Sequence, residues 1–551
     1  MNRSSSDHAA RAPRRAVLAA ALAASAAAVP AVAQAKTAAA TMRLQPNHLV
    51  VSTSQYEQAD IQPGVTMLPP GCTVGASGCV TAQYDGAYPY VFNNDIVDAS
   101  FGVTSPINLD QFSRSGKLVS SMQIPDSEMV TSFSSKSELS LNLSTSGKQI
   151  SFMGYQAPDA ALDVSNSNTP AVVDSTNPVP GSDYRVVGAL HTGGKLSFTL
   201  TNAYSGNNGR AALVADSGAQ KSSPLIYTAG NAGNGSNPQP EGVVVGAGAQ
   251  IMNESSQPEA DQTPGSPTPV GSFSVTQLND PQDKIGKDDN FRGLAEYHNV
   301  LYFTKGSGSN GVNTVYFLDT TGDACPNGVG VPAASAPLPT SGLNFDPTTV
   351  ASTGLPSNMC VLSGFPTTLA KTSAAAPFGM WFANPHTLYV ADEGTGDNTY
   401  DASTNIYTTA ASDTSAGLQK WVFDAASQTW QLAYTLQTGL NLGQPYTVAG
   451  YPVGDNSATS LPWAPANDGL RNITGRVNNG TATIYGVTST VSGGGDEGAD
   501  PNSLVAITDN IRATAAPAGE QFQTVVAPQY NQVVRGVTLT PGSSGLSQSS
   551  R

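Results

Sequence analysis

Charge is scarce in this chain of 551 residues: only 12% are Asp, Glu, Lys or Arg. Past the first 35 positions no run of about 18 or more apolar residues occurs, which excludes a transmembrane helix of ordinary length. Strong catalytic signatures are missing. There is no His-Glu-x-x-His, no Gly-x-Ser-x-Gly, no Gly-Lys-Ser/Thr phosphate loop and no calcium loop of the helix–loop–helix type. The four cysteines do not form the two tight Cys-x-x-Cys pairs of a four-thiolate metal site. Few segments carry the Leu/Glu/Lys period of an amphipathic helix.

Turn-forming residues are plentiful instead, with 55 Gly and 38 Pro. Short runs of Val, Leu, Ile, Tyr and Phe lie between Gly, Asn, Asp and Pro, the pattern of an all-β protein with many turns. Residues 1–35 read as an export signal rather than structure: a basic start, an Ala-rich apolar run and the small-residue ending Ala33-Gln34-Ala35. Arg14-Arg15 followed by Ala16-Val17-Leu18 resembles a twin-arginine signal, and an ordinary secretory signal fits as well. Without that leader the chain carries 21 basic and 39 acidic residues, a net charge of −18, against −15 for the whole sequence. Such a field repels nucleic acid and anionic lipid. A periplasmic or extracellular monomer is expected, and two disulfides suit that compartment: Cys72 with Cys79 around "TVGASG", and Cys325 with Cys360 across a Pro-rich excursion.

An internal repeat indicates the fold. Six strand cores superpose: "LVVSTS" from Leu49, "ISFMGY" from Ile150, "IYTAGN" from Ile226, "LYFTKG" from Leu301, "LYVADE" from Leu388 and "IYGVTS" from Ile484. A further strand often follows each core, as in "LQKWVFDAASQTWQL" at 418–432, and another precedes most, as in "FRGLAEYHN" at 291–299. Only "TMRLQPN" precedes Leu49, yet an unpartnered strand of the preceding type, "VVRGVTLTPG", lies at 533–542. The expected architecture is therefore a six-bladed β-propeller over 44–542, followed by a tail at 543–551. The strand at 533–542 completes the N-terminal sheet and removes its edges. Four-stranded blades need only ~40–45 residues, so the long intervals leave room for large inserted loops or a seventh blade.

"TLYVADEG…GLQKWVFD" resembles the strand–turn–strand signature of NHL-type β-propellers, with an insertion of roughly twenty residues in its middle. One unit matches well and the others loosely. The Asp-box motifs of sialidase propellers are missing. The resemblance to NHL and lactonase-like propellers implies a ring of blades with its ligand site at the channel, and a calcium ion there in the lactonase kind.

Three constellations offer chemistry. Arg210, Arg292, Arg471 and Arg535 recur at the start of the strand expected to line the channel. A ring of guanidiniums binds a carboxylate, sulfate or phosphate, or else locks neighbouring blades through their acidic loops. Two acidic turns, with Asp392, Glu393 and Asp397 in one and Asp496, Glu497 and Asp500 in the other, suit calcium or form solvated loops. His48, His298 and His386 fall near equivalent core positions, too far apart around a ring for zinc and better placed for packing. Trp421 and Trp430 flank a hairpin and read as blade packing.

The sequence thus points to an exported propeller that binds an extracytoplasmic ligand at the channel mouth or on inserted loops. The arginines favour an anion as that ligand. The alternatives are a calcium-dependent lactonase-like hydrolase and a structural or adhesive surface protein. Binding rather than catalysis is the expected role, with calcium the cofactor to consider.

Overall fold

The repeated core strand is buried along nearly its whole length, as a strand packed on both faces must be. In the computed structural model these cores are Leu49–Gln55, Gln149–Gln156, Leu225–Gly230, Val300–Lys305, Thr387–Asp392 and Thr481–Val491. The structure describes residues 42–543 apart from 57–61, 63, 69–70, 77–78, 82–101, 134–138, 180, 234–247, 256–268, 283–285, 335, 342–357, 457–458 and 494–498. The expected leader and most of the expected tail lie outside the described residues.

Each core is the second strand of its sheet, and the sheets are antiparallel except for the parallel outermost pair of blade 4, Met359–Leu362 with Val329–Gly330. Blade 1 runs outward from Gln532–Leu539 through Leu49–Gln55 and Ile107–Phe112 to Leu118–Gln123. The innermost strands of blades 2 to 6 are Asn142–Leu143, Gly209–Ala215, Gly293–Tyr297, Pro377–Asn384 and Ala466–Asn478. Each innermost strand touches the next, all the way round. This is a six-bladed propeller, and the closing strand pairs with the first core in the register Leu49↔Leu539 to Gln55↔Gln532.

Apolar clusters fill the seams between blades. Val50, Ile107, Leu109 and Met122 of blade 1 pack against Ile150, Phe152 and Val186 of blade 2. Leu49, Val51 and Val537 of blade 1 pack against Val487 and Leu504 of blade 6. Burying one such side chain contributes roughly 1.5–3 kcal/mol. Hydroxyls pin adjacent blades as well: Ser52 Oγ donates to the Leu139 carbonyl at 2.6 Å and Ser151 Oγ to the Ala212 carbonyl at 2.8 Å.

The insertion expected inside the fifth unit is there, between Asp392 and Gly417. It folds as a small hairpin, Tyr400–Asp401 with Ile406–Tyr407, followed by the short helix Thr408–Ser412. Both disulfides form, Cys72–Cys79 with Cα atoms 5.6 Å apart and Cys325–Cys360 at 5.9 Å. Among the described residues no helix is long and apolar enough to cross a membrane.

Candidate functional site

All four recurrent arginines lie on or immediately before an innermost strand, and all are buried, between 2% and 5% exposed. Three sit on β-bulges. Arg210 is the extra residue where Gly209 and Ala211 pair with Gly230 and Ala229. Arg535 is extra where Val534 and Gly536 pair with Thr53 and Ser52, and Arg471 lies in the irregularity between Leu470 and Ile473. A bulge bends the strand and re-aims the side chain it carries. Blade 5 has the same irregularity between Pro377 and Met380, but Phe378 stands there, and Arg292 lies 5.7 Å from its ring centroid.

These guanidiniums reach into neighbouring blades. Arg210 Nη1 donates to Asn290 Oδ1 at the entry to blade 4. Arg535 Nε donates to Ser54 Oγ at 3.1 Å, and its Nη2 to the carbonyls of Ser132 and Phe133, which lead to blade 2. Arg292 of blade 4 and Arg471 of blade 6 converge on Glu393, which follows the second strand of blade 5. Arg471 Nε lies 3.2 Å from Glu393 Oε2, and Arg292 Nη1 lies 3.8 Å from Oε1. One buried carboxylate therefore ties three blades together. The two constellations the sequence suggests separately meet at this residue.

The other acidic candidates are engaged as follows. Asp392 is fully buried, and its carboxylate accepts from the backbone N–H of Ala376 (3.0 Å) and Gly394 (3.1 Å) and from Gln419 Nε2 (3.3 Å). Burial pushes its carboxyl up to about 7, helped by the charges of Asp413 and Glu393 and opposed by those backbone donors. Asp397 caps its own turn, accepting from Thr399 Oγ1 at 2.5 Å and Thr399 N at 2.8 Å, which holds its carboxyl below the usual range. Asp500 Oδ1 accepts from Tyr451 Oη at 2.8 Å and Ser492 Oγ at 3.0 Å. Asp496 and Glu497 lie outside the described residues. Among the described residues these carboxylates do not gather three together within metal-bonding distance. The histidines lie on separate blades: His298 and His386 are on hairpin turns, where His298 stacks on Tyr297 and His386 faces Phe423, while His48 just precedes the first core strand with Nδ1 3.0 Å from the Pro46 carbonyl. Trp421 stacks on Phe365, and Trp430 meets Phe382 edge-on, both buried in the blade core.

Buried charges outside the recurrent positions escape a sequence reading. Asp468 is 1% exposed and accepts from Gly396 N at 2.8 Å. Arg185 is fully buried in blade 2 and donates to backbone carbonyls, among them Asp183 (2.8 Å), Ser167 (2.8 Å) and Asn207 (2.7 Å). Between blades 5 and 6, Lys420 Nζ lies 2.9 Å from Asp509 Oδ2, and both side chains are fully buried. Tyr434 Oη donates to Asp509 Oδ1 at 2.6 Å, and Tyr389 Oη donates to Oδ2. Burial and the Asp509 charge push both phenols well up.

Further along the innermost strands a cavity of 110 Å³ opens on the propeller axis, and all six blades line it. Its wall combines aromatic Tyr297, Trp381 and Phe382 with polar Asn142, Thr474 and Glu296. Tyr297 stacks on Phe382 at 4.5 Å, and the Trp381 ring lies flat against Gly475, where a Cβ would strike it. That glycine lets an indole from blade 5 spread over blade 6. Asn142 Nδ2 donates to the Ala212 carbonyl at 3.0 Å and is held across the seam between blades 2 and 3.

No protein-family model matches the chain. No curated protein matches it. Among solved structures it is similar to a Synechocystis apocarotenoid oxygenase variant, at 7% identity and a TM-score of 0.21, over 79% of this chain and 58% of that one. The chain thus spans less than two thirds of that structure's length.

Proposed function

We propose that this chain is an exported propeller binding protein that takes an extracytoplasmic ligand in the axial cavity. The single observation behind this reading is the convergence of all six blades on one cavity walled by Trp381, Tyr297 and Phe382 with amide, hydroxyl and carboxylate groups among them. Aromatic faces beside side-chain hydrogen-bonding groups suit a neutral sugar, whose C–H face lies on a ring while its hydroxyls bond at the edge. The volume admits one ring or the end of a longer chain.

An anionic ligand is less well matched to this cavity, because Glu296 is in its wall. The recurrent arginines are all buried and bonded to neighbouring blades, which supports their role as braces behind the site. The test is calorimetry with a panel of neutral and acidic oligosaccharides on the wild type, Trp381→Ala and Thr474→Val. Binding of a neutral glycan that both substitutions weaken supports the reading. Failure of every glycan to bind, or binding that ignores both substitutions, overturns it.

A further inference from the structure

The seam between blades 6 and 1, where the ring closes, holds a second and larger cavity, of 480 Å³. It falls within the ~300–1,000 Å³ range of pockets that enclose small molecules. The strand pattern explains why it exists. Alternate residues of blade 1 face blade 6, and along the core strand these are Val51, Thr53 and Gln55. Val51 continues the apolar seam, but Thr53 and Gln55 bring polar groups to the rest of this face. Blade 6 therefore packs tightly against one half of this face and stands off from the other.

Asp110 sits at the centre of that face, paired in register with Val51 on one side and Ser121 on the other. Among the described residues lining the cavity none is Lys, Arg or His, so Asp110 is the charge that a ligand meets. Phe112, two positions along the same strand, and Val525 of blade 6 supply an apolar wall beside it. Gln55 Oε1 is taken by Asn108 Nδ2 at 2.8 Å, which fixes the polar rim.

We propose that this seam cavity is a second binding site, selective for a small organic cation whose ammonium group pairs with Asp110 and whose apolar part lies against Phe112 and Val525. A carboxylate in a partly dry cleft without a cationic side chain beside it is stabilised by an incoming ammonium more than by any neutral group. Burial already holds the Asp110 carboxyl above its ordinary value, against a hydrogen bond from Ser121, as expected of an acid awaiting a counter-charge. The site is separate from the axial cavity, with no lining residue in common.

The probe is 2-phenylethylammonium, and the control is 2-phenylethanol, which keeps the ring and loses the charge. By calorimetry the full chain should bind the ammonium about tenfold or more tightly than the alcohol, as a charge-assisted hydrogen bond requires. Asp110→Asn should lose about the same factor while melting like the parent, since the amide keeps the shape. Ser121→Phe, on the outer strand opposite Asp110, should block entry and abolish binding of both probes. Trp381→Ala should change nothing. Equal binding of the two probes, undiminished binding by Asp110→Asn, loss of binding with Trp381→Ala, or no binding of the ammonium at millimolar concentration would each overturn the proposal.

Discussion

Lys420 Nζ and Asp509 Oδ2 lie 2.9 Å apart across the seam between blades 5 and 6, and no solvent reaches either side chain. Two desolvated charges persist there because each is further bonded, Lys420 to the carbonyls of Asn510 (2.7 Å) and Ala513 (3.0 Å) and Asp509 to two phenols. Removing one partner strands the other. Lys420→Met should therefore cost about 3–5 kcal/mol, measured by chemical denaturation. Adding Asp509→Leu to it should recover much of that loss, and a double variant no more stable than Lys420→Met would show that the pair is not what holds the seam.

Glu393 serves Arg292 and Arg471 together, so Glu393→Gln removes the carboxylate from both pairs. A loss of about 3 kcal/mol or more follows if the arginines brace the blades. Sulfate titrated into this variant separates brace from binding site. A melting temperature that sulfate leaves unchanged fits braces, whereas recovery with sulfate would show that the guanidiniums take up an external anion.

The Asp392 carboxyl, pushed up to about 7 from 3.8, makes stability depend on pH. Between those values the folded chain keeps a proton that the unfolded chain has released, so this residue's contribution falls as pH rises through the window. The swing is at most on the order of 4 kcal/mol. Melting curves of the wild type and Asp392→Asn should draw together or cross as pH climbs from 4 to 7. Parallel profiles would mean that Asp392 titrates in the folded protein as it does in the unfolded chain.

Gly536, next to Arg535 on the closing strand, lies so close to the Leu139 carbonyl and Ser52 Oγ that a Cβ would strike both. Gly536→Val should thus push blade 2 away from the closing strand and cost about 1–3 kcal/mol, as overpacking generally does. The same substitution at Gly193, a turn position where a Cβ would meet nothing within 4 Å and φ is not positive, controls for losing a glycine alone. A Gly536→Val protein as stable as the parent would mean that the innermost strands are not in close contact at this level.

The ring was legible because the sequence repeats what the ring repeats. A core strand buried on both faces must be apolar in every blade, and an orphan strand at 533–542 beside a first core without a partner leaves one sensible pairing. Strands that answer to local needs were harder to read. Tyr184–His191 and Gly248–Asn253 do not repeat the core-strand sequences, and the innermost strand of blade 2 is only Asn142–Leu143. At the arginines the recurrence was visible but the bulges were not, because a bulge depends on the count of residues in two strands distant in sequence. Glu393 reads as one acid in an exposed turn. Its burial between two guanidiniums arises from blades that the local sequence does not contain. The composition of the axial cavity left no mark for the same reason, since its wall is assembled from short stretches far apart in sequence.

The register that closes the ring also fixes how it yields to force. Leu49 pairs with Leu539 and Gln55 with Gln532, so the chain enters the first strand and leaves the last at the same end of the pair. Tension through the segments before Leu49 and after Leu539 loads the rungs of this ladder one at a time, from the Leu49–Leu539 rung inward. The closing strand pair therefore peels rather than shears, and its mechanical strength is that of a single rung, however many rungs lie behind it.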